Sequence, residues 1–125
     1  MSAQEANYKK LIVYQKAKQL AVDIIRFFSK QKLSKTLEFV VIQLLRAIAS
    51  IGANIAEGYG RYYQGNTRQF LSIARGSSYE SDYWLEIMRE TKMFNQKSLT
   101  DFNERNNEVS KMLTGLMKKI ERTKS

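Results

Sequence analysis

The side chains that could support catalysis in this sequence are few, and most of them are carboxylates. The 125 residues include no histidine and no cysteine, which excludes zinc fingers, catalytic zinc, thiol nucleophiles, Ser-His-Asp triads and histidine bases. A di-iron site in a helical bundle needs Glu-x-x-His pairs, and these are absent too. We therefore predict no enzyme, no metal site and no cofactor. The carboxylates that could meet inside a bundle are Glu57, Glu80, Asp82 and Glu86.

Positive charge is the second feature with chemical meaning. The formal net charge is +9, from 21 Lys and Arg against 12 Asp and Glu. Residues 1–76 hold twelve of these cations and four of the anions, whereas residues 77–125 are nearly balanced. A basic surface attracts nucleic acid or another polyanion. The same charge can also serve only to keep a small protein soluble, and charge alone does not decide between the two hypotheses.

Arginine and tyrosine are concentrated around one predicted turn, Tyr59-Gly60-Arg61-Tyr62-Tyr63. Arginine binds phosphate bidentately, and tyrosine stacks on unpaired bases. In the alternative interpretation the tyrosines plug the end of a bundle, and Arg61 pairs with Glu57. The candidate nucleic-acid-binding residues are Arg61, Arg68, Arg75, Tyr62, Tyr63, Lys9, Lys16 and Lys18.

Four amphipathic segments would position these side chains. Apolar residues recur every three or four positions, which predicts helices at about residues 7–29, 36–57, 67–94 and 98–122. Short connections predict an all-α, antiparallel up-down-up-down four-helix bundle that forms a single domain over residues 1–125. For the helix ends, we expect Gly58 at a left-handed C-cap, Asn66 or Thr67 as an N-cap, and a capping box from Ser98 to Asp101.

Three of these helices carry a single apolar seam each. Asn106 is the one polar residue on the fourth seam, where it could set the register. The predicted seams are Leu11, Tyr14, Ala17, Ala21, Ile24 and Phe28 on the first helix; Phe70, Ala74, Ser77, Ser81, Trp84 and Met88 on the third; and Leu99, Phe102, Asn106, Val109, Leu113, Leu116 and Ile120 on the fourth.

The second helix is apolar around most of its circumference, more than three neighbours in one bundle can cover. This excess predicts a subunit interface. Its polar residues follow one narrow stripe, which either forms a polar network inside an assembly, lining a channel, or is the solvent-facing line of the helix. The stripe consists of Gln43, Arg46, Ser50, Asn54 and Glu57.

The remaining composition indicates the cytoplasm. The longest apolar stretch, residues 39–56, is interrupted by four polar side chains and does not fit a membrane span. Residues 1–10 are polar and contain no apolar secretory segment. The lack of cysteine fits a reducing compartment.

Several motifs resemble one family, the four-helix-bundle proteins encoded in intervening sequences of bacterial 23S ribosomal RNA genes. The most specific is an Asn-Ile-Ala-Glu-Gly core followed by Gly-Arg. The third helix departs from the family's usual Gly-Ser-Leu-x-Glu-Leu-Glu, which affects the expected interface contacts and not the fold. The matching stretches are Val13-Tyr14-Gln15-Lys16-Ala17, Gln43-Leu44-x-Arg46-Ala47, Asn54-Ile55-Ala56-Glu57-Gly58, Gly60-Arg61 and Phe70-Leu71-x-Ile73-Ala74.

The resemblance implies a ring-shaped homopentamer whose biochemical role is unestablished. A more distant likeness is to the accessory protein of diversity-generating retroelements, a basic pentamer that binds a reverse transcriptase and its RNA. From the charge and these resemblances we predict a non-enzymatic oligomer that binds RNA or DNA, as a ribonucleoprotein accessory module. The alternative is a structural ring that docks another protein, such as a reverse transcriptase.

Overall fold

Helices make up nearly all of the described chain. The structure, a computed structural model, describes residues 8–60 and 66–124, and within those ranges it contains no strand. A single 3-10 turn at Tyr8–Lys10 precedes four helices: α1 at Ile12–Ser29, α2 at Lys35–Gly60, α3 at Thr67–Thr91 and α4 at Gln96–Lys124. The predicted all-α four-helix fold is confirmed.

Each helix packs against two neighbours, in the cyclic order α1, α2, α3, α4. Contacts between neighbouring helices pair later residues of one helix with earlier residues of the other. This order is that of antiparallel packing. Between α2 and α3 the pairs are Phe39 with Trp84, Ser50 with Ser77, and Gly58 with Thr67. Between α1 and α4 they are Lys16 with Glu108, Asp23 with Arg105, and Phe27 with Phe102.

Leucine and isoleucine from all four helices form one core. Burying each such side chain stabilises the fold by about 1.5–3 kcal/mol, so this shared core is the main stabilising feature. Fully buried members include Leu20, Ile24, Leu44, Ile48, Ile51, Ile55, Leu71, Leu85, Leu99 and Leu113.

Half of the predicted α3 seam is correct, since Ala74, Ser81 and Met88 are buried, and the other half is shifted by one position. Phe70, Ser77 and Trp84 are only half-buried. Because serine occurs at both position 77 and position 78, the sequence contains two overlapping three-four repeats that could form the buried face of α3. Packing against both α2 and α4 buries the repeat that lies between those two helices. The buried line is Leu71, Ala74, Ser78, Ser81, Leu85 and Met88.

Smaller corrections apply to α1 and α4. Val13 and Leu20 are buried on α1 although neither was on the predicted seam. Of the predicted α1 residues, Leu11, Tyr14 and Ala21 are only partly buried. On α4 the predicted seam is buried as far as Leu113. Beyond it, Met117 is buried, while Leu116 and Ile120 pack at the edge of the core.

The expected left-handed cap at Gly58 was also wrong. Helix α2 continues to Gly60, and no described glycine has a positive φ. A Cβ at Gly58 would lie 2.8 Å from the Phe70 Cβ, and the Thr67 hydroxyl donates to the Gly58 carbonyl at 3.0 Å. Glycine is therefore needed here because α3 approaches closely. The Asn66 side chain precedes α3 but makes no capping hydrogen bond.

The boundary between α3 and α4 differs from its prediction because Asn95, and not Ser98, caps α4. The Ser98 N–H donates to Asn95 Oδ1 at 2.9 Å, so the helix begins at Gln96, two residues before the predicted start. Helix α3 ends at Thr91, and Lys92 follows in the left-handed conformation with φ 57°. The proposed Ser98–Asp101 capping box does not form the helix start.

By length and composition alone, α2 is apolar enough to cross a membrane. The core helix of a soluble bundle meets the same criterion. Val41, Leu44, Ile48, Ile51 and Ile55 are buried against the other helices, which accounts for much of this apolar character.

Candidate nucleic-acid interface and assembly surface

Three of the candidate nucleic-acid-binding residues, Arg61, Tyr62 and Tyr63, lie outside the described residues. The described candidates are Lys9, Lys16 and Lys18 on the N-terminal side of the bundle, and Arg68 and Arg75 on α3. The five described candidates are divided between the 3-10 turn, α1 and α3.

Two of the described candidates are engaged by carboxylates of α4. Lys16 Nζ lies 2.8 Å from Glu108 Oε1. Arg68 pairs through Nη2 with Glu121, while its Nε is buried without a hydrogen-bond partner. Exposed ion pairs of this kind contribute only about 0.2–1 kcal/mol. A phosphate could compete for either cation, but it would have to displace the resident carboxylate first.

Arg75 is held by two neighbours. Its Nη1 donates to Thr114 Oγ1 at 3.1 Å, and its guanidinium lies 5.9 Å from the centre of the Tyr79 ring. Tyr79 is 56% exposed, so one face of this cation–π pair is open to solvent. Lys9 and Lys18 are exposed and make no ion pair within the described part of the chain.

Tyr59, at the start of the predicted aromatic turn, packs against the core as a half-buried side chain. Burial raises the pKa of its phenol above the ordinary value. The group therefore stays neutral at physiological pH. This position matches the alternative interpretation, in which tyrosines plug the bundle end.

The polar stripe of α2 follows its boundary with α3. The Ser50 and Ser77 hydroxyl oxygens are 2.5 Å apart, and Asn54 Nδ2 donates to the Ser50 carbonyl at 2.8 Å. Gln43 is half-buried, whereas Arg46 and Glu57 are exposed. The stripe is thus partly a contact between helices and partly solvent-facing.

A buried polar pair joins α3 to α4. Asn106 is 1% exposed, its Nδ2 donates to the Ser78 carbonyl at 2.8 Å, and the Ser78 hydroxyl donates to Asn106 Oδ1 at 2.8 Å. The sequence identified Asn106 but not Ser78, which lies one position beyond the predicted seam. The pair fixes the register of the two helices because sliding either helix would leave buried polar atoms unsatisfied.

The α1–α4 side of the bundle is polar. Arg105 Nη2 donates to Asp23 Oδ2 at 2.8 Å. Chiefly because of this hydrogen bond, the pKa of the Asp23 carboxyl is below its ordinary value, although partial burial opposes the effect. Arg105 also reaches Asp101 on its own helix at 3.5 Å.

The carboxylates that could have met inside the bundle do not gather. Glu57, Glu80 and Glu86 are exposed, while Asp82 is half-buried and accepts a hydrogen bond from Asn103. Among the described residues, no three acidic side chains form a group that could hold a metal ion.

The outer side of α2 carries a second seam with three-four spacing, and every residue in it is exposed. We call it the outer seam of α2: Phe39, Ile42, Arg46, Ala49 and Ala53. Phe39 is 57% exposed and Ile42 is 50% exposed. Apart from Arg46, which also belongs to the polar stripe, the outer seam consists of apolar and small residues. A three-four repeat of such residues on an outer face is typical of helix-to-helix packing between subunits.

Aromatic rings extend this surface onto α3. Phe39 meets Trp84 edge to face with ring centres 6.2 Å apart, and Trp84 meets Tyr83 at 5.0 Å. Tyr83 is 55% exposed. No sequence pattern indicated Tyr83, because it lies off the predicted seam. Trp84 Nε1 is buried and has no hydrogen-bond partner.

The small residues of α2 lie next to another helix of the same chain, α1. A cavity of about 210 Å³ between α1 and α2 is lined by Gly52, Ala53 and Ala56 together with Tyr14 and Val22. A Cβ at Gly52 would lie 3.9 Å from Tyr14 Cε1. These small side chains allow α1 to approach α2 closely.

Comparison with known proteins fits this geometry. The sequence model of the 23S rRNA-intervening sequence protein family matches residues 9–115. The chain belongs to this family. The matched range covers the first three helices of the 23S rRNA-intervening sequence protein fold and most of α4. No curated protein is similar enough in sequence to count as a relative.

A solved structure shares the fold. It is a protein of unknown function from the S23 ribosomal protein family of Bacteroides thetaiotaomicron, with 28% identity and a TM-score of 0.75. The similarity covers 86% of this chain and 99% of that one. Neither that description nor the name of the 23S rRNA-intervening sequence protein family states an enzymatic activity.

Proposed function

We propose that this protein is a non-enzymatic, basic homo-oligomer of the cytoplasm that binds nucleic acid, RNA above all, as an accessory module of a ribonucleoprotein. The observation that carries the proposal is a large excess of cations displayed without partners. Lys9, Lys10, Lys18, Lys111 and Lys118 are exposed and make no ion pair within the described ranges. Such lysines can exchange their counterions for phosphates.

Assembly strengthens this binding. The outer seam of α2, with Phe39 and Ile42 exposed, supports burial against a second copy of the chain. A ring of five copies, as the family resemblance implies, would present each weak phosphate contact five times. Linked contacts raise the overall affinity by effective concentration, without any new interaction.

The experiment combines mass and affinity. Static light scattering at micromolar concentration should give about five times the 14.6 kDa of one chain. Fluorescence anisotropy with labelled single-stranded RNA should show binding at low salt that weakens steeply as salt rises. A monomeric mass would contradict the assembly, and absence of RNA binding by a folded oligomer would contradict the nucleic-acid function.

A second candidate function is a protein-docking ring, for instance an accessory subunit of a reverse transcriptase. The aromatic residues Phe39, Tyr83 and Trp84 favour it, since exposed aromatic clusters are enriched in protein interfaces. In this case the charge serves solubility. An oligomer that binds neither RNA nor DNA at low salt would favour this candidate.

A further inference from the structure

One end of the bundle brings two turns together. The turn between α1 and α2 and the turn between α3 and α4 meet there through Phe28 and Phe94, whose ring centres are 5.4 Å apart at an interplanar angle of 85°. We call this region the turn end and define it as residues 26–35 and 91–97. All of these residues lie within the described ranges.

Positive charge is not balanced within the turn end, and the nearest carboxylates in sequence, Asp23, Glu38, Glu90 and Asp101, lie just outside it. It contains six cations and no carboxylate. All six side chains are exposed, and none makes an ion pair within the described residues. They are Arg26, Lys30, Lys32, Lys35, Lys92 and Lys97.

The backbone that carries these cations is held in place by hydrogen bonds. The Gln31 N–H donates to the Phe28 carbonyl at 3.1 Å, and the Leu37 N–H donates to Ser34 Oγ at 3.3 Å. Leu33 packs against the core. In the other turn, the Lys92 N–H donates to the Arg89 carbonyl at 3.3 Å. A fixed backbone lowers the entropy lost when a ligand binds.

We propose that the turn end is the principal surface on which this protein contacts the phosphate backbone of nucleic acid; this inference rests on the proposed function. Two of the cations predicted from the sequence, Lys16 and Arg68, are less available because they already face carboxylates. At the five lysines of the turn end a phosphate displaces only counterions and water, whereas Arg26 also lies close enough to Asp23 to help lower the pKa of that carboxyl. Because the contacts are to phosphate, binding has little base preference.

A lipid surface fits the turn end less well. Peripheral membrane binding draws on buried apolar area as well as on charge. Met93, at 66% exposure, is the one large apolar side chain strongly exposed within the turn end. Phe28 is buried, and Leu33 and Phe94 are packed against the core. The cations of the turn end therefore lie on a surface with few exposed apolar side chains that could insert into a lipid bilayer.

Two matched variants of the full-length chain test the proposal. The turn-end variant combines Lys30→Gln, Lys32→Gln, Lys97→Gln and Lys92→Asn, since asparagine tolerates the positive φ at this last position. The control variant combines Lys9→Gln, Lys10→Gln, Lys111→Gln and Lys118→Gln, which removes four exposed lysines elsewhere. Both variants lose four positive charges, so a difference in their affinity for nucleic acid depends on where those charges lie on the protein.

Anisotropy with a 20-nucleotide single-stranded RNA and with a duplex DNA, at several salt concentrations, measures the effect. We expect the turn-end variant to bind at least about tenfold more weakly at low salt. We also expect its log–log salt slope to be shallower by about 0.7 for each phosphate of the single strand that the variant no longer neutralises. The control variant should bind clearly more tightly than the turn-end variant. Circular dichroism and light scattering should show both variants folded, with the wild-type mass.

The outcomes separate the two proposals. Equal weakening in both variants would overturn the turn end as the principal surface while leaving nucleic-acid binding intact. A turn-end variant that binds RNA as tightly as the wild-type protein would likewise overturn the turn end as the principal surface. No binding by the wild-type protein would overturn the proposed function itself. Cosedimentation with phosphatidylserine vesicles in place of RNA binding would assign the surface to membranes and overturn the inference.

Discussion

At the scale of single residues, close approach and pairing decide which side chains can be changed. Gly58 is buried, and the position of its missing Cβ lies 2.8 Å from the Phe70 Cβ. Gly115, by contrast, would place a Cβ in open space. The two glycines occupy helices of similar length, but only the first is required by packing.

Gly58→Ala should therefore destabilise the protein. The new methyl group meets a side-chain atom fixed to the backbone, and such overpacking costs about 1–3 kcal/mol, partly offset by the better helix propensity of alanine. Gly115→Ala is the control and should be neutral or stabilising by up to about 1 kcal/mol. Thermal and urea unfolding measure both. A Gly58→Ala protein as stable as the Gly115→Ala protein would show that α3 can move aside.

Asp23 should make the free energy of unfolding depend on pH in the acidic range. The pKa of Asp23 in the folded protein is depressed, mainly by the hydrogen bond from Arg105. Its contribution to the free energy of unfolding is therefore fully present above the unfolded pKa of about 3.9 and is lost as the pH falls through the folded pKa. Asp23→Asn should flatten the loss of stability on acidification. Glu104→Gln, at an exposed position outside the ion pairs described, should not. Urea unfolding between neutral pH and pH 3 would test this, and equal slopes in all three proteins would contradict it.

At the scale of the helices, periodicity predicted each element but not every boundary or face. The seams of α1 and α4 were recovered in part because large apolar residues such as Leu99, Val109 and Leu113 recur without ambiguity. In α3, the serines and the pair Trp84-Leu85 allow two lines that share Ala74, Ser81 and Met88 and whose centres differ by about 50° around the helix. Only packing against neighbouring helices distinguishes them. Gly58 similarly suggested a helix end because its close approach to Phe70 is not visible in the sequence.

The outer seam of α2 leads to a prediction about assembly. Phe39→Ser combined with Ile42→Ser removes its two large apolar side chains, both at least half exposed in one chain. The oligomer should dissociate or lose mass at micromolar concentration while the helical content stays unchanged. Ile12→Ser, on α1 and 60% exposed, is the matched control and should keep the wild-type mass. Light scattering of a double variant that retains its mass would place the interface elsewhere.

The buried Asn106 and Ser78 pair should be sensitive to partial removal. Asn106→Leu removes the acceptor that lies 2.8 Å from the Ser78 hydroxyl and leaves it only the longer contact, at 3.3 Å, to the backbone carbonyl of residue 106. Weakening this buried hydrogen bond should cost about 1–3 kcal/mol. Adding Ser78→Ala removes the poorly bonded hydroxyl and should recover part of the stability. A double-mutant cycle of unfolding free energies measures the coupling. Additive costs would mean that the pair does not act as a unit.

At the scale of the whole molecule, the sequence revealed the fold, the charge and the absence of histidine and cysteine chemistry, but not where the unpaired cations collect. The turn end was missed because its lysines are split between residues 30–35 and 92–97, which are far apart in the chain. The contact between Phe28 and Phe94 brings them together. The sequence instead drew attention to residues that are neighbours in the chain around Arg61, and two of the described candidates, Lys16 and Arg68, proved to be paired.

The polar side of the bundle has a consequence for motion. Among the described helices, α1 and α4 are the only packed neighbours that are not consecutive in the chain, and Lys16–Glu108 and Asp23–Arg105 lie across their seam. Ionic strength weakens the exposed Lys16–Glu108 pair and, to a smaller extent, the half-buried Asp23–Arg105 pair. No direct chain connection restrains the two helices from separating. Local opening of the native state should therefore start along this seam, with α1 swinging out from α4 while α2 and α3 stay packed. Amide hydrogen exchange in α1 should accelerate with salt before that in α2.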